Sequence, residues 1–524
     1  MLKPTFAILA LFVFSASVFA ATPCESLATL TLPTTTITLA QSVAAGAFTP
    51  PPAPRGAGGG VRGQGAGGRG GGGGGPQFDY KSLPAFCRVA ATLKPSSDSG
   101  IKIEVWLPAA AWNGKLQSVG NGAWAGTIGY TAIGTALAAG YAAAGTDTGH
   151  TGNDPGFALG HPEKVTDFAY RSVHEMTVAA KAIINAFYGN GPKLSYFNGC
   201  STGGKQALTE AQRYPLDYDG IIAGAAAIYA THLQGMQTWV GQMAHKDEGA
   251  MIPDGKAALL KNAVLEACDA RDGVKDGVLE DPRSCNFDPK ALACKSGDGP
   301  SCLTAPQVEL AQKIYQGPTD RNGRQLFPGL EHGTEAGWSG TGLAGPRPMS
   351  LAVETFSHLT FQDPKWDFRT FDFERDVALA DKAIGEKMNS IDPNLKPFFD
   401  HGGKLLMYHG WADPGIPARN SVIYYSSVVN KLGKPKTADS IRLFMVPGMG
   451  HCSGGDGTST FDKIGPLDQW VEKGKAPDQI IASRVRNGTA DRTRPLCPYP
   501  QVARYKGTGS TDSAENFTCA LDTR

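Results

Sequence analysis

Residues 194–213 read LSYFNGCSTGGKQALTEAQR, and the reading of this stretch decides the fold. Leu194 to Phe197 is strand-like, and a helix is expected from near Gly204 to Arg213. Between them lies Gly199-Cys200-Ser201-Thr202-Gly203, the single GxSxG of the chain. A strand, a sharp turn and a helix are the context in which a serine hydroxyl is presented as a nucleophile. Small neighbours are needed because the turn is strained, and the N–H after the serine points toward a developing oxyanion. An ordinary glycine-rich turn is the competing reading.

Working outward, strand and helix signals alternate from about residue 88 to 227, with strands at Phe86–Leu93, Ile101–Leu107, Lys115–Val119 and Tyr141–Gly145. One long helix is expected over Val165–Phe187. This alternation is the signature of an α/β sheet. It lapses over 228–395 and returns with GKLLMYH (403–409), a helix near Ser421–Leu432 and the strand Ile441–Val446. The expected organisation is therefore N-terminal strands in 21–87, an α/β catalytic domain in 88–227 and 396–524, and an inserted lid domain in 228–395.

A serine nucleophile in such a sheet takes its acid and its base from later strands, in the order Ser, acid, His. Asp413 follows the strand-like run before it and is trailed by Pro414-Gly415-Ile416-Pro417. His451 follows RLFMV and the loop Pro447-Gly448-Met449-Gly450, and of the ten histidines it alone lies beyond Asp413. These two are the candidate acid and base. His409 precedes Asp413 and is expected on the pocket wall.

The 524 residues carry a net charge of +1 and are 41% apolar, which gives a core but no electrostatic footprint for nucleic acid. Lys3, the apolar run Phe6–Phe19 and the small residues at Ala20-Ala21 form the three parts of an export signal, expected to end at residue 20. The mature chain is then expected outside the cytoplasm, secreted or periplasmic, and without a membrane partner. Fourteen of residues 56–75 are glycine, a stretch with nothing to bury, so a disordered loop over about 50–77 is expected.

Ten cysteines suit an oxidising compartment. Cys268 with Cys285, Cys294 with Cys302, and Cys497 with Cys519 each close a short loop. Cys200 adjoins Ser201 and Cys452 adjoins His451, so a bridge between them would bring nucleophile and base together, since bridged Cα atoms lie ~4.4–6.8 Å apart. Cys24 and Cys87 are left to pair around the glycine-rich block.

GCSTGG, HGWADPGIP and VPGMGHCSGG, with RTRPLCPYPQVARYKG near the C-terminus, resemble the tannase and feruloyl esterase family, which also includes bacterial mono(2-hydroxyethyl) terephthalate hydrolase. The resemblance spans nearly all of the mature chain. It implies an α/β-hydrolase fold with a large inserted lid, and a serine esterase acting on aromatic carboxylic esters. Hydroxycinnamate (feruloyl) esters of plant material are the leading substrates and gallate esters the alternative. A terephthalate monoester fits less well, because no arginine of 335–375 matches the one expected on its free carboxylate. A non-catalytic cell-surface binder is disfavoured because Ser201 and His451 are both present. For the oxyanion hole the resemblance implies the N–H groups of Thr202 and of Ala123, in Val119-Gly120-Asn121-Gly122-Ala123-Trp124, where the family usually has glycine at 123. Trp124, His409 and Ile416 are expected to bound the substrate from the core side.

Cys268 to Val278 reads CDARDGVKDGV, with three carboxylates in eight residues at a spacing unlike the EF-hand's. Its Asp-Gly turns are either exposed turns or the scaffold of a cation site. The resemblance implies a structural Ca²⁺ held by Asp269, Asp272 and Asp276 with the carbonyls of Val274 and Val278, and no organic cofactor. Trp338, Phe356, Phe361 and Trp366 either fill the lid's core or face an aromatic acyl group.

Overall fold

The structure, a computed structural model, describes residues 22–52, 78–124 and 126–522. The expected export signal and most of the glycine-rich block lie outside these residues. Nine strands form one mixed sheet: β1 Thr35–Val43, β2 Phe86–Leu93, β3 Ile101–Pro108, β4 Lys115–Val119, β5 Ala142–Thr146, β6 Leu194–Cys200, β7 Gly220–Gly224, β8 Lys404–Gly410 and β9 Ile441–Val446. Their spatial order is β1-β2-β3-β5-β4-β6-β7-β8-β9. β1, β2 and β3 pair antiparallel and β3 meets β5 antiparallel, while every pairing from β5 through β4 to β9 is parallel. This is the α/β-hydrolase order with one extra N-terminal strand.

The central strands are largely buried along their length because both faces of the sheet are covered. On one face the helix Ser172–Tyr188 buries Val173, Met176, Ala180, Ile183, Ile184 and Phe187, at helical spacing, and stops at Gly189 with φ 78°. On the other, Leu467 and Trp470 of the helix Ile464–Lys473 pack with Tyr196, Ile222, Leu406 and Phe444.

Two helices depart from their expected bounds. The long one is broken by a π-helical turn at Asp167–Arg171, where Arg171 Nε donates to the buried Asp167 at 2.6 Å. The one after Ser201 begins at Thr202, with Gly203 and Gly204 inside it. A Cβ on Gly204 would lie 2.2 Å from the Gly224 carbonyl oxygen, so these glycines permit close packing and do not delay the helix.

Between β7 and β8 the chain leaves the sheet. The helices Ala230–Ala244, Asp254–Cys268 and Ala305–Gln316 build a separate apolar cluster there with Trp338, Phe356 and Phe371. Phe361 and Trp366 pack against the same cluster. Trp338 and Phe356 are thus core residues of the insert, and Phe361 and Trp366 flank them half-buried.

Candidate active site

β6 delivers Ser201 to the carboxyl edge of the sheet. Ser201 has φ 65° and ψ −121°, a backbone conformation that L-residues adopt only under constraint. The constraint is close packing. A Cβ on Gly199 would fall 2.3 Å from the Gly203 carbonyl oxygen, so the turn closes only with glycine there. Strain is thereby spent on presenting the hydroxyl, which is partly exposed and makes no hydrogen bond among the described residues.

Asp413 lies just past β8 and His451 just past β9. His451 Nδ1 donates to Asp413 Oδ2 at 2.7 Å, while Asp413 Oδ1 accepts the N–H groups of Gly415 and Ile416 at 2.9 and 3.0 Å. Burial opposes charge on Asp413, yet His451 and His409 hold its carboxyl well below the usual carboxylate range. Burial likewise opposes charge on His451, and the Asp413 carboxylate outweighs it, so the imidazole titrates above its ordinary value.

All ten cysteines are paired as the sequence suggested: Cys24–Cys87, Cys200–Cys452, Cys268–Cys285, Cys294–Cys302 and Cys497–Cys519. The Cys200–Cys452 bridge sets Cα atoms 6.0 Å apart across a sequence separation of 252, and so carries the His451 backbone to the Ser201 elbow.

His409 is not a wall residue. It is fully buried behind Asp413, with Nε2 3.2 Å from both Asp413 Oδ2 and the Ile416 carbonyl oxygen and Nδ1 2.7 Å from Ser421 Oγ. Nε2 faces two acceptors and therefore carries a proton. Ile416 also turns inward, its side chain packing into the insert's core while its N–H and carbonyl serve Asp413 and His409. The sequence missed this supporting layer, although a histidine four residues before the acid on the same strand end was a signal for it.

Trp124 does border the cavity beside the elbow. That cavity is lined by Ala123, Trp124, Phe168, Thr202 and Lys205 from the sheet domain. Ala227 borders it at the junction, and Ala230, Thr231, Gln234, Leu351, Thr355, Ile384 and Met388 close it from the insert. Among the described residues neither the Thr202 nor the Ala123 N–H has an acceptor, while Gly203 N–H is spent on the Asn121 carbonyl at 2.8 Å. These two amides belong to residues that line the same cavity, and they are available to an oxyanion formed there.

The acidic turn lies apart from this site. Asp269 accepts the N–H groups of Asp276 and Gly277, and Asp272 those of Val274 and Glu280, so the turn is wound around its own carboxylates. Asp272, Val274, Asp276 and Val278 line a cavity of about 20 Å³, together with Glu280 and with Arg492 and Arg494 from the C-terminal hairpin. Burial pushes Asp272 up to about 6 and Glu280 up to about 8. Asp276 pairs with Arg492 and Arg494, while Asp272 and Glu280 bring further carboxyl oxygens to the same cavity, hard donors of the kind a divalent cation takes. Glu280, Arg492 and Arg494 were not singled out from sequence, because only the fold brings the hairpin here.

The family model described as tannase and feruloyl esterase matches residues 87–520. An uncharacterized esterase of Xanthomonas campestris pv. campestris is 37% identical over 84% of this chain and 85% of its own. A probable feruloyl esterase B-2 of Aspergillus terreus is 32% identical over 83% of this chain and 86% of its own. The crystal structure of feruloyl esterase B from Aspergillus oryzae superposes with a TM-score of 0.85 at 29% identity, covering 95% of this chain and 99% of that one.

Proposed function

This chain belongs to the tannase and feruloyl esterase family and is a carboxylic ester hydrolase, and from that premise we propose that it cleaves hydroxycinnamate (feruloyl) esters of plant material with Ser201, His451 and Asp413. The observation that carries the assignment of roles is the Asp413–His451 hydrogen bond, brought to the Ser201 elbow by the Cys200–Cys452 bridge. Asp413 fixes the tautomer in which His451 Nδ1 bears hydrogen, leaving Nε2 to accept the Ser201 proton as Oγ bonds to the ester carbon. The tetrahedral oxyanion is received by the N–H groups of Thr202 and Ala123. His451 returns the proton to the departing alkoxide, which leaves as the alcohol. Water then attacks the acyl-serine with His451 again as base, and aromatic acid and free Ser201 are regenerated.

The preference for feruloyl over gallate esters rests on the relatives at 32–35% identity, which are named as probable feruloyl esterases. Five disulfides favour an oxidising location, secreted or periplasmic. The carboxylates of Asp269, Asp272 and Asp276, with the Val274 and Val278 carbonyls, would hold Ca²⁺ as a structural ion.

Ser201→Ala tests the roles. Turnover of methyl ferulate and methyl gallate should fall by ~10⁴-fold or more, and labelling by a fluorophosphonate should disappear while the circular dichroism spectrum is retained. Wild-type-like turnover in a folded Ser201→Ala protein would end the assignment.

A further inference from the structure

Ala123 is one of few non-glycine residues in the left-handed region, with φ 49°. An alanine held there is strained and stays only where its surroundings enforce it. The segment is anchored at both ends by the sheet domain. Upstream, Asn121 N–H donates to Gln206 Oε1 at 3.0 Å and the Asn121 carbonyl accepts from Gly203 at 2.8 Å. Downstream, Gly126 and Gly152 exchange hydrogen bonds at 2.7 and 2.9 Å. The middle is held differently. Thr202 Oγ1 donates to the Ala123 carbonyl at 3.0 Å, and Trp124 Nε1 donates to Glu354 Oε2 at 2.7 Å.

Glu354 belongs to the insert, in the helix Ser350–Glu354, and is 230 residues from its partner. The Trp124 ring is itself buried in a small apolar cluster to which both parts contribute: Phe168 and Ala169 from the sheet domain, Leu359, Ile384 and Met388 from the insert. The residue directly after the strained amide is thus gripped by the insert through a ring and a hydrogen bond.

We propose that Glu354 is a positioning residue for the oxyanion hole, its bond to Trp124 holding the Ala123 N–H where the tetrahedral oxyanion forms. This rests on the reading of Ala123 as an oxyanion donor. The insert then does more than bound the substrate, because it completes the scaffold of the catalytic amide. Since that amide meets charge that develops only in the tetrahedral state, loosening it lowers kcat and leaves ground-state binding alone.

The test is Glu354→Ala beside Glu354→Gln, assayed on methyl ferulate. Deleting an oxyanion donor costs ~10²–10³ in rate, so displacing one should lower kcat by about 10-fold, with KM changed less than about 2-fold. Affinity for phenylboronic acid, which forms a tetrahedral adduct on Ser201, should fall by the same factor, and inhibition by the planar product ferulate should not change. Glu354→Gln keeps an oxygen acceptor and should recover most of the loss. If Glu354→Ala does not fold, Glu354→Met fills the same space without an acceptor for the Trp124 N–H and should show the same pattern. Unchanged kcat and boronate affinity in the folded variants would overturn the proposal. So would a uniform fall in kcat, boronate and ferulate binding, which marks general disruption. Activity surviving in Ser201→Ala would instead sink the underlying reading of the site, so the two failures are distinguishable.

Discussion

Asp413 carries two histidines on one oxygen, and they do different work. His451 reaches it from the partly exposed side, on the loop that the Cys200–Cys452 bridge ties to the Ser201 elbow. His409 reaches it from the buried side and is itself fixed by Ser421. The carboxylate is thus ionised and oriented before any substrate arrives, and the charge it retains raises the His451 pKa above the ordinary 6.5. Protonated His451 cannot accept the Ser201 proton, so activity must fall as pH drops through that raised value. The kcat/KM profile of the free enzyme should show an acid limb with an apparent pKa above 6.5. Asp413→Asn removes the charge, so it should shift that limb to lower pH while cutting kcat by roughly 10⁴-fold. A pH–rate series on both proteins checks it, and an unmoved acid limb in Asp413→Asn would show that Asp413 does not set the pKa of the base.

At the scale of elements, the difficulty lies in bringing β9's loop back to β6. The two strands are three places apart in the sheet, a span of ~14 Å at the usual strand spacing. The loop after β9 therefore runs back over the ends of β8 and β7. Its closeness to β8 shows at Gly410, where a Cβ would lie 2.2 Å from the Met449 carbonyl oxygen. The Cys200–Cys452 bridge pins the far end of this excursion. Replacing both cysteines with alanine should lower kcat more than it lowers the yield of folded protein, measured by active-site titration against total protein. Equal kcat per folded molecule would show that packing alone holds the loop. The helix Ala230–Ala244 sets a second problem of the same kind. Gln234 borders the cavity beside Thr202, and among the described residues its buried Oε1 has no donor, which suits a phenolic hydroxyl of the substrate. Gln234→Leu should reduce kcat/KM for methyl ferulate relative to methyl cinnamate by about 10-fold, since an unpaired buried polar group costs ~1–3 kcal/mol. A ratio unchanged between the two esters would place hydroxyl recognition elsewhere.

These elements also show what a sequence can reveal. β9 was legible to the residue because a buried parallel strand is a short, mostly apolar run bounded by turns. Ser201, Asp413 and His451 were legible because each follows such a run. The elements inside the insert were not, because helices such as Ala230–Ala244, Asp254–Cys268 and Ala305–Gln316 are organised only by a shared core that no local pattern announces. Trp338 and Phe356 could be recognised as large apolar groups, but nothing local says that they face inward rather than toward substrate. His409 and Ile416 were misplaced for a related reason: proximity to the acid was visible, and direction relative to it was not. Glu354 and Gln234 carried no signal, since their meaning lies in partners more than a hundred residues away or in the lack of any.

Taken as a whole, the molecule converges on the acidic turn as well as on the elbow. Its cavity is bordered by the insert through Asp272, Val274, Asp276 and Val278. Pro447, Gly457 and Thr458 come from the two ends of the loop that carries His451, and Arg492 and Arg494 from the C-terminal hairpin. Asp276 binds both arginines, so the turn is the joint among three parts of the chain. A cavity of about 20 Å³ admits one small ion or one water. A Ca²⁺ bound there meets oxygen donors assembled only in the folded protein, and so stabilises it by mass action, ~2.7 kcal/mol at a concentration 100 times Kd. For a chain of this size the melting temperature should fall by roughly 2–4 °C or less per kcal/mol lost on chelation. Because the arginines remain to bridge the three parts, the joint should loosen without opening. kcat at 25 °C should therefore stay within about 2-fold of the loaded enzyme, while thermal inactivation quickens. Calorimetry with and without a calcium chelator, beside elemental analysis of the purified protein, decides it. A melting curve indifferent to chelation, with no calcium in the protein, would leave the carboxylates balanced by Arg492 and Arg494 alone.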